Sequence, residues 1–386
     1  MGNSNEKTAV ETLKSDYVKR AMTDSPQYGK AKYYSRKTDP SDQIMITEYW
    51  SNTMDESTSY DEMVALRKGI SHENLAYTHC VDTETENQFF TEFYKHSSAH
   101  EYHDHNLYKE IAARRKNENR QSLTEPEVWY VANGLVDLDY HLMEESVEAP
   151  HGDIQPKNVM IDDEGNMKLI DNVIATNKVA YDKCNFKDEY FAPIAPEYLD
   201  DLRKNKVRPE GKNLEKQEIW SIGITSLAAA SGNYPEDYYD WNKKVYLRDR
   251  VQEDLDNLSG KKSPEQINFI RKCLDENPDT RWGITDANEY LRPYKSLAKK
   301  KQLSFENRVE QTSELGGNDF FDDDNLIHRE VVVQTGVQKV QHEGTDIIDG
   351  NDFFDDDNLK HEDVVYTQGV NVQGYTDGRV TNTRYY

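Results

Sequence analysis

The stretch that decides the reading of this chain is His151-Gly152-Asp153-Ile154-Gln155-Pro156-Lys157-Asn158, followed downstream by Leu169-Ile170-Asp171-Asn172-Val173. An acid, an amide five residues on and a second acid eighteen residues from the first are the residue types that phosphoryl transfer requires. Asp153 can orient an attacking hydroxyl and accept its proton. Asn158 and Asp171 can hold magnesium ions that neutralise nucleotide phosphates.

The residues before this stretch read as a helix. Thr124 with Glu127 forms a capping box, and Val128, Val131, Leu135, Leu138 and Leu142 share one apolar face before Pro150 ends the run. After it, Asn158-Val159-Met160-Ile161 and Met167-Lys168-Leu169-Ile170 read as a hairpin that presents Asp171. Further on come Phe191-Ala192-Pro193-Ile194-Ala195-Pro196-Glu197, then Glu218-Ile219-Trp220-Ser221-Ile222-Gly223, then a helix begun by Ser263-Pro264 that leads to Asn277-Pro278-Asp279-Thr280-Arg281.

In this order the segments resemble the protein kinase family: its catalytic loop, metal-binding motif, Ala-Pro-Glu, Asp-x-Trp-Ser-x-Gly (with Glu218 for Asp) and late Pro-x-x-Arg. The resemblance implies an α+β, bilobal protein-kinase-like fold, with a small β-rich N-lobe and a helical C-lobe. It implies ATP and Mg2+ as cofactors, a buried ion pair between Arg281 and Glu197, and a structural role for Glu218.

The N-lobe departs from the family pattern. Gln27-Tyr28-Gly29-Lys30-Ala31 resembles the end of the glycine-rich loop, which leaves Asp24 and Pro26 at the other two glycine positions. Phosphates need free backbone amides and close approach, which Pro26 and Asp24 oppose and Gly29 allows. Strand Gln43-Ile44-Met45-Ile46-Thr47-Glu48 has no Lys, and Ile46 or Thr47 stands at the nucleotide-anchoring position. Ser71-His72-Glu73-Asn74-Leu75 resembles the turn after the regulatory helix, whose acidic partner position falls on Met63, with Glu62 one step out of register. Gln88 to Tyr94 looks like the strand entering the hinge. His96, His100, His103 and His105, with Glu101 and Asp104, then read as an exposed segment after the hinge rather than a metal site. In the catalytic loop, Gly152 replaces the Arg that receives an activation-loop phosphate, Gln155 replaces a Lys beside the transferred phosphoryl group, and Asn172-Val173 replaces Phe-Gly.

A net charge of −25 disfavours nucleic acid and anionic lipid as partners. No run approaches the ~20 apolar residues of a membrane span, and Ile219 to Ala230 reads as a buried helix. Three scattered cysteines suggest a reducing, intracellular and cytoplasmic setting. The expected organisation is an N-terminal extension (1–20), a kinase-like domain (21–296) and an acidic, flexible tail (297–386).

Residues 301–386 carry 18 acidic against 7 basic residues, a net of −11. The ten-residue segment from Gly317 to Leu326 recurs 33 positions later, from Gly350 to Leu359. Each copy holds a Phe pair in an acidic surround, which suggests that Asn318–Leu326 and Asn351–Leu359 dock protein partners with avidity from two linked sites.

Three functions remain open on this reading. The first is a pseudokinase scaffold with weak or no phosphotransfer, with Asp153, Gly29, Thr47, Asn158 and Asp171 as relics of a site. The second is a divergent Ser/Thr protein kinase in which Asp153 is the base, Asn158 and Asp171 bind metal, and Lys30 or Lys32 replaces the missing anchor. The third is a small-molecule phosphotransferase, in which His-Gly-Asp is the usual spelling of the loop.

Overall fold

The structure is a computed structural model that describes residues 7–25, 29–88, 91–116, 122–146, 150–170, 193–199, 212–295, 303, 371–376 and 379–384. Asp171, Asn172, the segment 26–28 and both tail motifs lie outside the described residues.

A five-stranded antiparallel sheet is built from β1 (Tyr17–Ser25), β2 (Gly29–Arg36), β3 (Gln43–Ser51), β4 (Thr78–Gln88) and β5 (Thr91–Tyr102), in the order β1-β2-β3-β5-β4. Alternation of side chains sorts β3 onto two faces. Ile44 and Ile46 face outward with Tyr17, Tyr34 and Ala99, where the short helix α1 (Ala9–Lys14) covers them with Val10 and Leu13. Met45, Thr47 and Tyr49 face inward. The Asp82 carboxylate caps α1 by accepting from the amides of Ala9 (3.2 Å) and Val10 (2.5 Å). The sheet therefore begins at Tyr17, ahead of the boundary that composition placed at residue 20, and α1 is part of its packing.

Helix α2 (Met54–Lys68) lies on the inner face of the sheet, capped by Thr53, whose hydroxyl accepts from Glu56 N. Tyr60 and Val64 pack on Tyr49, with Met63 and Val81 at the margin.

The second lobe is helical: α3 (Leu107–Lys116), α4 (Glu125–Tyr140), α5 (Lys212–Ser231), α6 (Arg248–Asn257), α7 (Pro264–Cys273) and α8 (Ile284–Leu291), with the hairpin β6 (Val159–Ile161)–β7 (Met167–Leu169) and a small pair β8 (Tyr239–Asp240)–β9 (Val245–Tyr246). Its core centres on α4 and α5, where Trp129, Leu135, Leu138, Trp220, Ile222 and Phe269 are buried. The Thr124/Glu127 capping box opens α4, and a π-helical turn from His141 to Ser146 follows it, so the α-helix stops at Tyr140, well before Pro150. Gly223 lets α5 and α7 touch: a Cβ there would sit 2.7 Å from that of Cys273. Leu303 is buried against this core, and its amide donates to the Gly165 carbonyl (3.1 Å). A second compact unit comprises residues 323–386, of which the structure describes a hairpin, β10 (Asn371–Thr376) and β11 (Arg379–Arg384). No described helix is long and apolar enough to cross a membrane.

Candidate functional site

The loop from His151 to Asn158 is held by bonds that its own sequence supplies. The His151 ring is buried; Nδ1 accepts from the Asp153 amide (3.3 Å), and Nε2 donates to the Ile170 carbonyl (2.7 Å). Gly152 has φ +86°, in the left-handed region that favours glycine. Its amide donates to Glu218 Oε2 (3.1 Å), so the acid on α5 fixes the loop from below. Asn158 is fully buried; its side-chain amide donates to the Asp153 carbonyl oxygen (2.8 Å), and its own carbonyl accepts from Ile170 N (3.0 Å). Asp153 is partly exposed at the lobe boundary.

One contact was not legible in sequence: Gln155, buried, donates from Nε2 to Asp153 Oδ1 (2.6 Å). A neutral amide thus orients the carboxylate at the position where the family keeps a cation. The neighbouring cation, Lys157, points away to Glu236 (2.8 Å) and the Tyr108 ring (4.7 Å).

Beneath the loop, Glu218 lies beside Asp139, both buried. Burial, then the charges of Glu218 and Glu215, pushes the Asp139 carboxyl well above the usual carboxylate range. Arg67, from the last turn of α2, is also buried and donates to the Pro150 carbonyl (2.5 Å), which ties α2 to the start of the catalytic loop.

Glu197 and Arg281 meet in a bidentate ion pair at 2.7 and 2.9 Å. The Arg281 guanidinium also lies over the Trp220 ring (4.8 Å) and donates to the carbonyls of Asp275 and Lys216.

The upper wall of the cleft differs most from the family's needs. Thr47 is buried and its hydroxyl meets Ser98 Oγ (2.8 Å); Ser98 meets His100 Nε2 (2.9 Å), and His100 Nδ1 meets Thr78 Oγ1 (3.1 Å). A chain of hydroxyl and imidazole hydrogen bonds occupies the anchor position. Lys32 cannot substitute: it lies on the outer face, paired with Glu48 (3.2 Å), which Lys95 also approaches. Gly29 is the first residue of β2, paired with Ser25.

Further out, Ala31, Tyr33, Met45, Ala76, Tyr102, Met160 and Ile170 form one buried cluster, with contributions from both lobes. The Tyr33 and Tyr102 rings pack at 4.7 Å between centroids, and the His103 amide donates to Met160 Sδ (3.3 Å). Ala31, Met45 and Met160 have no exposed surface. As placed, the cluster offers no open surface at Ala31, Met45 or Met160 to a planar base.

Two placements correct the sequence reading. Gln88 to Tyr94 does not enter the hinge: it spans the β4–β5 turn, and the lobes connect after Tyr102, through His103 to Asn106. His96 and His100 are not on an exposed segment; β5 is the strand between β3 and β4, and its period-two pattern turns both rings inward, 1 and 3 % exposed. His103 and His105, nearer the surface, pair with Glu101 and Glu110 (3.0 Å each). No cluster of three or more metal-ligating side chains occurs among the described residues.

A family model described as "Protein kinase domain" matches residues 33–291. The chain belongs to the protein kinase family. The kinase fold is also that of the maize sucrose-induced receptor kinase 1 kinase domain bound to AMP-PNP, which aligns with 77% of this chain and 98% of its own at a TM-score of 0.55 and 16% identity. Among curated kinases it is similar to the protein kinase wis1 of Schizosaccharomyces pombe, 29% identical over 139 residues (34% of this chain, 21% of that protein). It is also similar to the serine/threonine-protein kinase pakH of Dictyostelium discoideum, 26% identical over 154 residues (40% and 28%). The matched stretches thus span 21 and 28% of those kinases' length.

Proposed function

We propose that this protein is a pseudokinase: a kinase-fold scaffold with weak or no phosphotransfer, whose output is protein–protein contact through the domain and through the tail motifs Asn318–Leu326 and Asn351–Leu359. The observation that carries the reading is the cluster of Ala31, Tyr33, Met45, Tyr102 and Met160 packed across the lobe boundary. The chain from Thr47 through Ser98 supports it, because a hydroxyl stands where a phosphate-anchoring Lys would be. A charge-assisted contact is worth about 1.5–3 kcal/mol, on the order of 10–100-fold in rate when it acts only in the transition state.

The second reading, a divergent Ser/Thr kinase, is favoured by one observation: Asp153 and Asn158 remain on a well-tied loop, with Asp153 oriented by Gln155. In that reading Asn158 and Asp171 would hold Mg2+, which would screen the nucleotide's phosphates.

Magnesium-dependent phosphate transfer from ATP separates the two. The expected result is no turnover and no thermal shift with ATP. Turnover that disappears in Asp153→Asn would sink the pseudokinase reading in favour of the kinase. Removing residues 305–386 is expected to abolish capture of the tail's partner and leave the fold intact.

A further inference from the structure

His96 sits in the seam between helix α2 and the sheet, away from the cleft, with both ring nitrogens engaged. Nδ1 lies 3.2 Å from Asp61 Oδ1 on α2 and 3.0 Å from Thr83 Oγ1 on β4; Nε2 lies 2.5 Å from Ser51 Oγ on β3. Thr83 donates its own proton to Asp61 (2.7 Å). These partners fix the tautomer. Only a proton on Nδ1 can face the Asp61 carboxylate, so Nε2 is the bare nitrogen and accepts from the Ser51 hydroxyl. The ring is closed in by Tyr60 from α2 (4.4 Å) and Tyr49 from β3 (5.8 Å). Its side chain has no exposed surface. The groups facing it are therefore Asp61 and Tyr60 from α2, Tyr49 and Ser51 from β3, and Thr83 from β4. Asp61 is the charged one, and it is nearly half exposed.

We propose that His96 is an acid-sensitive latch: neutral, it holds α2 on the sheet through Asp61; protonated, it releases the helix. A second proton must go to Nε2, where the buried Ser51 hydroxyl has to turn its own proton away. The imidazolium would then lie between two phenol rings without water, and a half-exposed carboxylate offsets only part of that desolvation. Burial accordingly lowers the His96 pKa, with Asp61 acting in the opposite direction. Among the described residues the apolar content of the seam is Tyr49, Tyr60 and Val64, with Met63 and Val81 at the edge. The consequence reaches the catalytic loop, because the same helix carries Arg67 to the Pro150 carbonyl. This inference goes beyond the pseudokinase reading and stands whether or not the protein transfers phosphate.

The test is hydrogen exchange of the α2 amides in the full chain, compared at about pH 7.5 and about pH 5.5 after correction for intrinsic rates. At about one unit below the free-imidazole value near 6.5, the open state gains by up to about tenfold. The wild type is expected to lose protection in α2 by several-fold. His96→Gln, which cannot titrate, should show no such loss. Asp61→Asn, which removes the counter-charge, should show a larger one. A wild-type α2 that is equally protected at both pH values, or an equal loss in His96→Gln, would overturn the latch. Should His96→Gln fail to fold, the ring is titrated by NMR in the wild type and in Asp61→Asn. A midpoint below the free value that falls further in Asp61→Asn is expected; a midpoint at the free value, or one that does not move, defeats the proposal.

Discussion

At the scale of single residues, the loop from His151 to Asn158 was readable because its bonds are local, His151 with Asp153 and Asp153 with Asn158, whereas the bond from Gln155 to the Asp153 carboxylate was not. What could not be read were the long-range partners that replace a lost charge, since nothing in the spelling of Ser98, His100 or Tyr102 says that they meet Thr47 or Tyr33. Gly152 has a backbone reason beyond the loss of an Arg. Placing Arg at its φ of +86° is expected to cost about 1–2 kcal/mol, read as a lower urea midpoint for Gly152→Arg with an unchanged slope. Asp139 gives a pH test. Its carboxyl is raised in the folded state, chiefly by burial and then by Glu218, so the folded protein holds a proton that the unfolded chain releases above about pH 4. Wild-type stability from this group therefore falls as pH climbs from there. Asp139→Asn keeps a neutral donor beside Glu218; it should melt at or above the wild type at neutral pH, by a margin that narrows towards pH 4. A margin that widens on acidification would contradict the assignment.

At the scale of elements, helices were the most legible part, because caps and apolar periodicity lie within a few residues of each other. Thr124 with Glu127 and Ser263 with Pro264 mark the starts of α4 and α7 where the sequence places them. The sheet was harder. Two β5 histidines appeared exposed because the hinge was assigned one strand too early; once the β4–β5 turn is in place, parity alone buries His96 and His100. α1 has a local cap in Thr8, whose hydroxyl accepts from Glu11 N, but its place in the sheet's packing was not legible, because its first amides donate to Asp82, some seventy residues away. Asp82→Ala should lower stability by about 1 kcal/mol, the usual worth of an N-cap contact, and chemical shifts in α1 should report its loosening from the sheet.

At the scale of the whole molecule, the lobes are joined through side chains from both, by way of Arg67 with Pro150 and Tyr33 and Tyr102 with Met160. Composition placed the end of the domain near residue 296, but Leu303 fills a place in the C-lobe core and hydrogen-bonds to the β6–β7 turn. Burying such a side chain contributes about 1.5–3 kcal/mol. A chain ending at residue 305 should melt like the full protein, and one ending at residue 296 should melt several degrees lower. The same logic applies at the other end, where the consequence is solubility. A fragment cut to the family match, residues 33–291, would begin inside β2 and discard both β1 and α1. What remains of β2 would become a bare sheet edge with unpaired amides, and Ile44 and Ile46 would face water as an uncovered apolar strip. Such a fragment is built to associate with itself. Its precipitation would say nothing about whether the kinase fold is stable, whereas a fragment beginning at Lys7 keeps the strip covered and the edge paired.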